Sequence, residues 1–274
     1  NHGIHLLAEN PDIRRKNDEF KKKAHVIINH FDRTGGLASI DATHEINIAS
    51  HQLNSFVYAE SLNVLNDGKL LGIVGGDHSS PYGAIKALSE RYKDYGILHI
   101  DAHADLRHQY QGFEHSHASI MYNVLELDNA PKKLTQVGIR DFCKEEYQLI
   151  QEKPQITTFF DRHLKQQIFA GQTWQQLCRE VIETLPENIY ISFDIDGLSP
   201  ENCPNTGTPV PGGLSFDQAV YLLASLGQSG RKIIGFDLCE VAPSNTSNNE
   251  INGNVGARIL FQLCGWSLKT NGFK

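Results

Sequence analysis

The segment Asp101-Ala102-His103-Ala104-Asp105 sets three possible metal ligands at alternate positions. Where a strand gives way to a loop and the backbone is still extended, side chains two residues apart point to one side and can converge. Asp194 and Asp196 repeat that spacing, and His78 follows two glycines in Gly75-Gly76-Asp77-His78. The set is four carboxylates and two imidazoles. Oxygen-rich ligation with some nitrogen suits Mn²⁺ or Fe²⁺ better than structural zinc, which prefers thiolates in a closed tetrahedron. Six ligands are too many for one ion that keeps an open position, so two ions sharing carboxylates is the simplest count. Without cations, four crowded carboxylates would keep some of their protons. Two ions roughly 3.5–4 Å apart remove that cost and lower the pKa of a shared water toward neutrality.

Strands must carry these residues. Four apolar runs each break into metal-capable side chains: GIVGGDH at His78, ILHIDAHAD at Asp105, YISFDID at Asp196 and IIGFDLCE at Glu240. The runs Leu71 to Val74, Ile97 to Ile100, Gln136 to Ile139, Ile156 to Phe160, Ile189 to Phe193 and Ile233 to Phe236 read as buried parallel strands. Between them, Pro81 to Lys93, Ser119 to Leu127, Lys144 to Glu152, Trp174 to Leu185 and Phe216 to Leu226 have helical length and spacing, the βαβ rhythm of a parallel sheet. Helices over Ile46 to Leu65 and Val255 to Trp266 bracket the run, and Pro200 to Gly213 and Ser244 to Asn254 read as loops. In open parallel sheets ligands gather beyond the carboxyl ends of the strands, where these polar residues fall. No repeat, low-complexity tract or linker interrupts the pattern, so residues 1–274 read as one domain, with no recognisable motif in 1–52.

Blander readings exist for single residues. A lone Asp-x-His fits a capped loop around a core histidine, Glu240 alone fits a solvated carboxylate, and among His108, His115 and His117 at least one is expected to be an exposed loop residue. Recurrence at four strand ends outweighs the first of these.

A net charge of −7 and a pI near 6.0 give no electrostatic footprint for nucleic acid or an anionic membrane and favour a cationic small molecule. The five cysteines are odd in number and lack a C-x-x-C pair, which fits a reducing, cytoplasmic setting rather than a disulfide framework. No apolar run reaches the ~18 residues that span a bilayer, and residues 1–20 are polar, so neither a membrane anchor nor a signal peptide is expected in this sequence. The only methionine is Met121, so Asn1 is not read as the start of the encoded chain.

With GGDHS at Gly75 to Ser79, DAHAD at Asp101 to Asp105 and SFDIDGLSPENCPNTGTPVPGGLS from Ser192 to Ser215, the chain resembles the ureohydrolase family of arginases, agmatinases and formiminoglutamases from about Leu70 onward. The resemblance implies a three-layer α/β/α fold with a mainly parallel, eight-stranded sheet, assembled as a homo-oligomer, trimer or hexamer. Strands beyond the six above would lie before Leu70, with Val26 to Asn29 (VIIN) one candidate edge strand. It implies two Mn²⁺ per subunit, one held by His78, Asp101, Asp105 and Asp194, the other by Asp101, His103, Asp194 and Asp196. An activated water would attack a guanidino carbon, with Asp105 hydrogen-bonded to it, His117 as proton relay and Glu240 paired with the guanidinium, and the products would be urea and an amine. Thr208 stands where the family lines its pocket.

Where arginases hold the α-amino and α-carboxylate groups, this chain has Phe113, Glu114, His115 and Cys143, so arginine is not the expected substrate. Agmatine, a guanidino acid or formiminoglutamate remain open, and His115 or His108 could meet a carboxylate. The competing readings are a deacetylase-like amidohydrolase with one zinc and a non-catalytic family member; the full ligand set argues against the latter.

Overall fold

The computed structural model describes residues 3–37, 40–244 and 250–273. Two helices open the chain, α1 (Pro11–Thr34) and α2 (Ile40–Asn66). Strands and helices then alternate: β1 (Leu71–Val74), α3 (Tyr82–Arg91), β2 (Gly96–Ile100), α4 (Ile120–Leu125), β3 (Lys133–Val137), α5 (Lys144–Glu152), β4 (Ile156–Phe159), α6 (Asp161–Phe169), α7 (Trp174–Glu183), β5 (Asn188–Asp194), α8 (Phe216–Gln228), β6 (Lys232–Cys239) and α9 (Ile251–Thr270). Short 3₁₀ turns at His117–Ser119 and Ile195–Gly197 precede α4 and follow β5.

Every strand pairing is parallel, in the order β1-β6-β5-β2-β3-β4. Along β2, Ile97 faces one side and Leu98 and Ile100 the other, so the strand is buried on both faces. Leu98, Ile100, Ile191 and Phe193 pack with Leu177 and Val181 of α7, Leu222 of α8 and Ile259 of α9. On the opposite face, Ile97, Leu134 and Tyr190 pack with Ile85 and Leu88 of α3 and Met121 of α4. These are the three layers of an α/β/α fold. Successive strands run outward in opposite directions from the β2–β5 pair, which makes it the switch point of the sheet. Ile100 lies beside Phe193 in that pair, so the next residues, Asp101 and Asp194, emerge side by side.

Several expectations need correction. The sheet has six strands among the described residues, not eight, and helices occupy the region before Leu70. Val26 to Asn29 lies inside α1, not in an edge strand. Asn10 caps that helix by accepting the N–H groups of Asp12 and Ile13, Pro11 starts it and Gly35, at φ 67, ends it; these signals override the β preference of a short apolar run. The strand expected at Gln136 to Ile139 spans Lys133–Val137, because Gly138 turns to φ 96 and breaks it. Helix α6 had no counterpart in the sequence reading, and α9 begins at Ile251, inside the stretch read as loop; residues 245–249 of that stretch lie outside the described residues.

Candidate metal centre

The six residues singled out by spacing meet at the carboxyl ends of β1, β2 and β5. His78 Nδ1 lies 2.9 Å from Asp101 Oδ2, 3.2 Å from Asp105 Oδ2 and 3.3 Å from Asp194 Oδ2. His103 Nδ1 lies 3.0 Å from Asp196 Oδ2 and 3.4 Å from Asp101 Oδ1. Two groups of ligand atoms, each within 4.8 Å of one another, therefore share Asp101: one contains His78, His99 and Asp105, the other His103 and Asp196. Asp194 adjoins the first group through His78. All six are buried except His103, which is half-buried and gives the centre its open side.

Local backbone fixes these positions. Asp194 Oδ1 accepts the Asp196 N–H at 2.8 Å, and Asp196 Oδ1 accepts the Ala102 N–H at 3.0 Å, which ties the β5 turn to the end of β2. A Cβ on Gly197 would lie 2.8 Å from the backbone nitrogen of Asp101, so only glycine lets the two ends approach this closely. Asp105 adopts φ 55, and its carbonyl accepts the N–H groups of Met121 and Tyr122 at the start of α4. Glu146, buried at the first turn of α5, accepts the Leu106 N–H at 3.0 Å and the Cys143 N–H at 2.8 Å and so holds the chain just past Asp105.

The electrostatics suit a cation site. Burial opposes a charge on His78, but the surrounding carboxylates of Asp101, Asp105 and Asp194 hold its pKa well above the ordinary imidazole value. His103 is likewise raised to about 11, burial being outweighed by Asp101 and Asp196. Burial, then the charge on Asp101, pushes Asp105 up to about 8; burial, then Asp196 and Asp101, lifts Asp194 well above the usual range. Asp196 is raised as well, by burial and then Asp101. Asp101 moves down because His99, His103 and His78 outweigh its burial. A cluster of acids that can ionise together only by keeping protons on its imidazoles fits divalent cations, which would take the place of those protons.

The other sequence candidates surround this centre. Glu240, at φ 63, accepts the His78 N–H through Oε1 at 3.0 Å, and burial followed by the charge of Asp77 raises its pKa to about 7. His117 begins the 3₁₀ turn, stacks edge-on to Tyr110 at 5.7 Å and is lowered by burial; Asp77, His103 and Asp101 act on it electrostatically. Thr208, exposed, points its hydroxyl at Asp196 Oδ2, 3.5 Å away. His115 is half-buried between the rings of His51 and Tyr82, and burial and then His51 lower it to about 4, so it stays neutral near pH 7. His108 is exposed, with its ring against Tyr122.

Sequence reasoning passed over His99, Gln136, Ser192, Asp237 and Arg140. Continuing the alternate spacing backward from Asp101 reaches His99, which lies inside the Ile97 to Ile100 run. The Arg140 guanidinium donates to the carbonyls of Gly138, Asp196, Leu198 and Val210, cross-linking the end of β3 to the turn that carries Asp194 and Asp196 and to the 200–213 loop.

A model of the arginase family matches residues 12–265. The chain belongs to the arginase family. Members of this family, the ureohydrolases, are hydrolases of C–N bonds in linear amidines. Within it, the chain is 33% identical over 216 residues to the N(1)-aminopropylagmatine ureohydrolase of Thermus thermophilus, covering 79% of this chain and 68% of that one. It is 30% identical to the agmatinase of Halalkalibacterium halodurans, covering 74% of this chain and 66% of that one. The chain thus spans about two thirds of the length of these arginase-family relatives. The crystal structure of the agmatine ureohydrolase of Thermoplasma volcanium superposes with a TM-score of 0.66 at 27% identity, over 81% of this chain and 70% of that one.

Proposed function

We propose that this arginase-family chain is a binuclear manganese hydrolase that cleaves the guanidino group of a small cationic amine, in the manner of an agmatinase, releasing urea and an amine. The observation that carries the proposal is Asp101, whose carboxylate belongs to both groups of candidate ligands. We read His78, Asp101, Asp105 and Asp194 as one ligand set and Asp101, His103, Asp194 and Asp196 as the other. The chemistry of this donor set fits Mn²⁺. When bound, two such ions supply Lewis acidity and an activated water.

The remaining steps belong to side chains. Glu240 faces the centre from β6 and binds the planar guanidinium by charge-assisted hydrogen bonds, with the charge of Asp77 beside it. Asp105 accepts a proton from the attacking water and returns it to the leaving nitrogen. His117 exchanges protons with solvent, its imidazole kept mostly neutral so that it can accept. Thr208, on the loop that Arg140 anchors, lines the approach.

A cationic far end on the substrate is favoured over a carboxylate. Glu114 presents an exposed carboxylate beside His51, and its backbone is pinned by Asn47 to its N–H and by Asn123 to its carbonyl. His115 next to it is neutral and offers no charge to an acid. The relatives named for agmatine and N(1)-aminopropylagmatine point the same way. The five free cysteines accord with a reducing cytoplasm, and among the described residues no helix is long and apolar enough to cross a membrane. A homo-oligomer is expected from the family.

The test is product release with added Mn²⁺ from agmatine, N(1)-aminopropylagmatine, guanidinobutyrate, arginine and formiminoglutamate. Urea from the first two supports the proposal. Formamide from the last alone would reassign the substrate, and no product from any of them, with two ions bound, would remove the enzymatic reading.

A further inference from the structure

One layer beneath the ligands, the sheet carries a row of polar side chains where a parallel α/β core is ordinarily apolar. Strand register places Thr158 beside Gln136, Gln136 beside His99, His99 beside Ser192 and Ser192 beside Asp237, a line across β4, β3, β2, β5 and β6. His99, Gln136, Ser192 and Asp237 are fully buried. Each of the two central members stands two residues before a candidate ligand on the same face, His99 before Asp101 and Ser192 before Asp194. Such burial costs stability unless each polar atom is used, so the direction of every hydrogen bond matters.

Those directions can be deduced. The Ala104 carbonyl can only accept, and the Gln136 amide lies 2.7 Å from it, so that amide atom is the nitrogen. Gln136 Oε1, the other end, accepts from the Thr158 hydroxyl at 2.8 Å, which agrees with this orientation. Gln136 Nε2 is also 3.0 Å from His99 Nδ1 and has a second hydrogen to give. His99 Nδ1 is then an acceptor, so the ring hydrogen sits on Nε2, 2.8 Å from Asp101 Oδ2. A histidine that could bind as a lone pair is instead turned into a fixed donor to the shared carboxylate.

We propose that His99 is a positioning residue whose Nε2–H tautomer, imposed by Gln136 and Thr158, orients the Asp101 carboxylate for two cations and keeps His99 itself from serving as a ligand. This rests on the metal-binding reading of the centre. Outer-shell partners of metal ligands change affinity by about 10–100-fold when removed, and a role confined to packing would not move the tautomer.

The experiment has two readouts. In metal-free wild-type protein labelled with ¹⁵N-histidine, long-range ¹H–¹⁵N correlation, assigned by the signal lost in His99→Gln, is expected to show His99 protonated at Nε2 and bare at Nδ1. In Gln136→Met, which keeps the volume but removes the donor, the tautomer is expected to become mixed and Mn²⁺ affinity, read by titration, to fall about 10–100-fold. Thr158→Val, at a half-buried position, is the gentler variant should Gln136→Met fail to fold, with a smaller loss of affinity in the same direction. A wild-type His99 protonated at Nδ1, or a folded variant with unchanged Mn²⁺ affinity, overturns the proposal. Neither readout uses turnover, so wild-type protein that binds Mn²⁺ with this tautomer but releases no product refutes the proposed activity and leaves the role of His99 standing; wild type that binds no Mn²⁺ refutes both.

Discussion

The Nδ1 of His103 lies 3.0 Å from Asp196 Oδ2, an ion-pair distance between two side chains that, on the proposed reading, ligate the same cation. In the metal-free protein a proton holds the pair together, and His103 stays charged up to about pH 11. A cation must displace that proton, and the one that Asp105 keeps up to about pH 8. Loading Mn²⁺ at pH 7.5 is therefore expected to release protons, and affinity to weaken as pH falls. Calorimetry in buffers of different ionisation enthalpy measures this; a heat that is the same in all buffers contradicts it.

Asp101→Asn preserves size and leaves one oxygen, but removes the charge that both candidate ligand groups share. Urea release is expected to drop about 10³-fold or more, several kcal/mol in the barrier. Metal analysis of the purified variant should show fewer ions per chain than wild type. Full metal content with wild-type turnover would disprove the sharing.

Glu240→Gln keeps an oxygen to accept the His78 N–H yet cannot pair with a guanidinium. A charge-assisted hydrogen bond contributes ~1.5–3 kcal/mol, so kcat/KM should fall roughly 10–150-fold. Metal content should stay the same. Steady-state kinetics with parallel metal analysis separates this from damage to the ligands.

Glu114→Gln tests the far end of the substrate. An exposed charge pair is worth ~0.2–1 kcal/mol, so KM for agmatine is expected to rise about 1.5–5-fold with kcat unchanged, while KM for guanidinobutyrate stays level or falls. Equal changes for both substrates would remove Glu114 from specificity.

His115 makes a prediction about stability. Its pKa is lowered from 6.5 unfolded to about 4 folded, by burial and then His51. Between those values the unfolded chain takes up a proton that the folded one refuses, so this contribution is present above pH 6.5 and is lost as pH falls toward 4. His115→Phe keeps a ring between His51 and Tyr82 and removes the titration. Melting temperatures at pH 7.5 and pH 5 should converge more in the variant than in wild type; an identical drop in both would exclude His115.

The residues of the candidate centre could be grouped from the sequence because alternate spacing at a strand end is a local signal, and Asp101, His103, Asp105, Asp194 and Asp196 all lie within two such runs. The supporting row was not. Gln136, His99, Ser192 and Asp237 become neighbours only through strand register, which no single segment encodes. Val26 to Asn29 misled for a related reason: three β-branched apolar residues in a row suit a strand until the cap at Asn10, sixteen positions before Val26, commits them to a helix. Strand number was carried over from the family resemblance, and no apolar run before Leu70 forms a strand among the described residues.

Asp105 and Glu240 share one further property: both bend the chain with the handedness that L-amino acids resist, at φ 55 and φ 63. Aspartate and asparagine tolerate that sense of twist far better than branched side chains do, and glutamate in it is rarer still. Exchange at either point thus alters two things at once, the functional group and the ease of the bend. Glycine relaxes the backbone while deleting the whole side chain, asparagine at Asp105 removes the charge while keeping the bend tolerable, and valine spoils both, so a short series of replacements can sort the demands of geometry from those of charge.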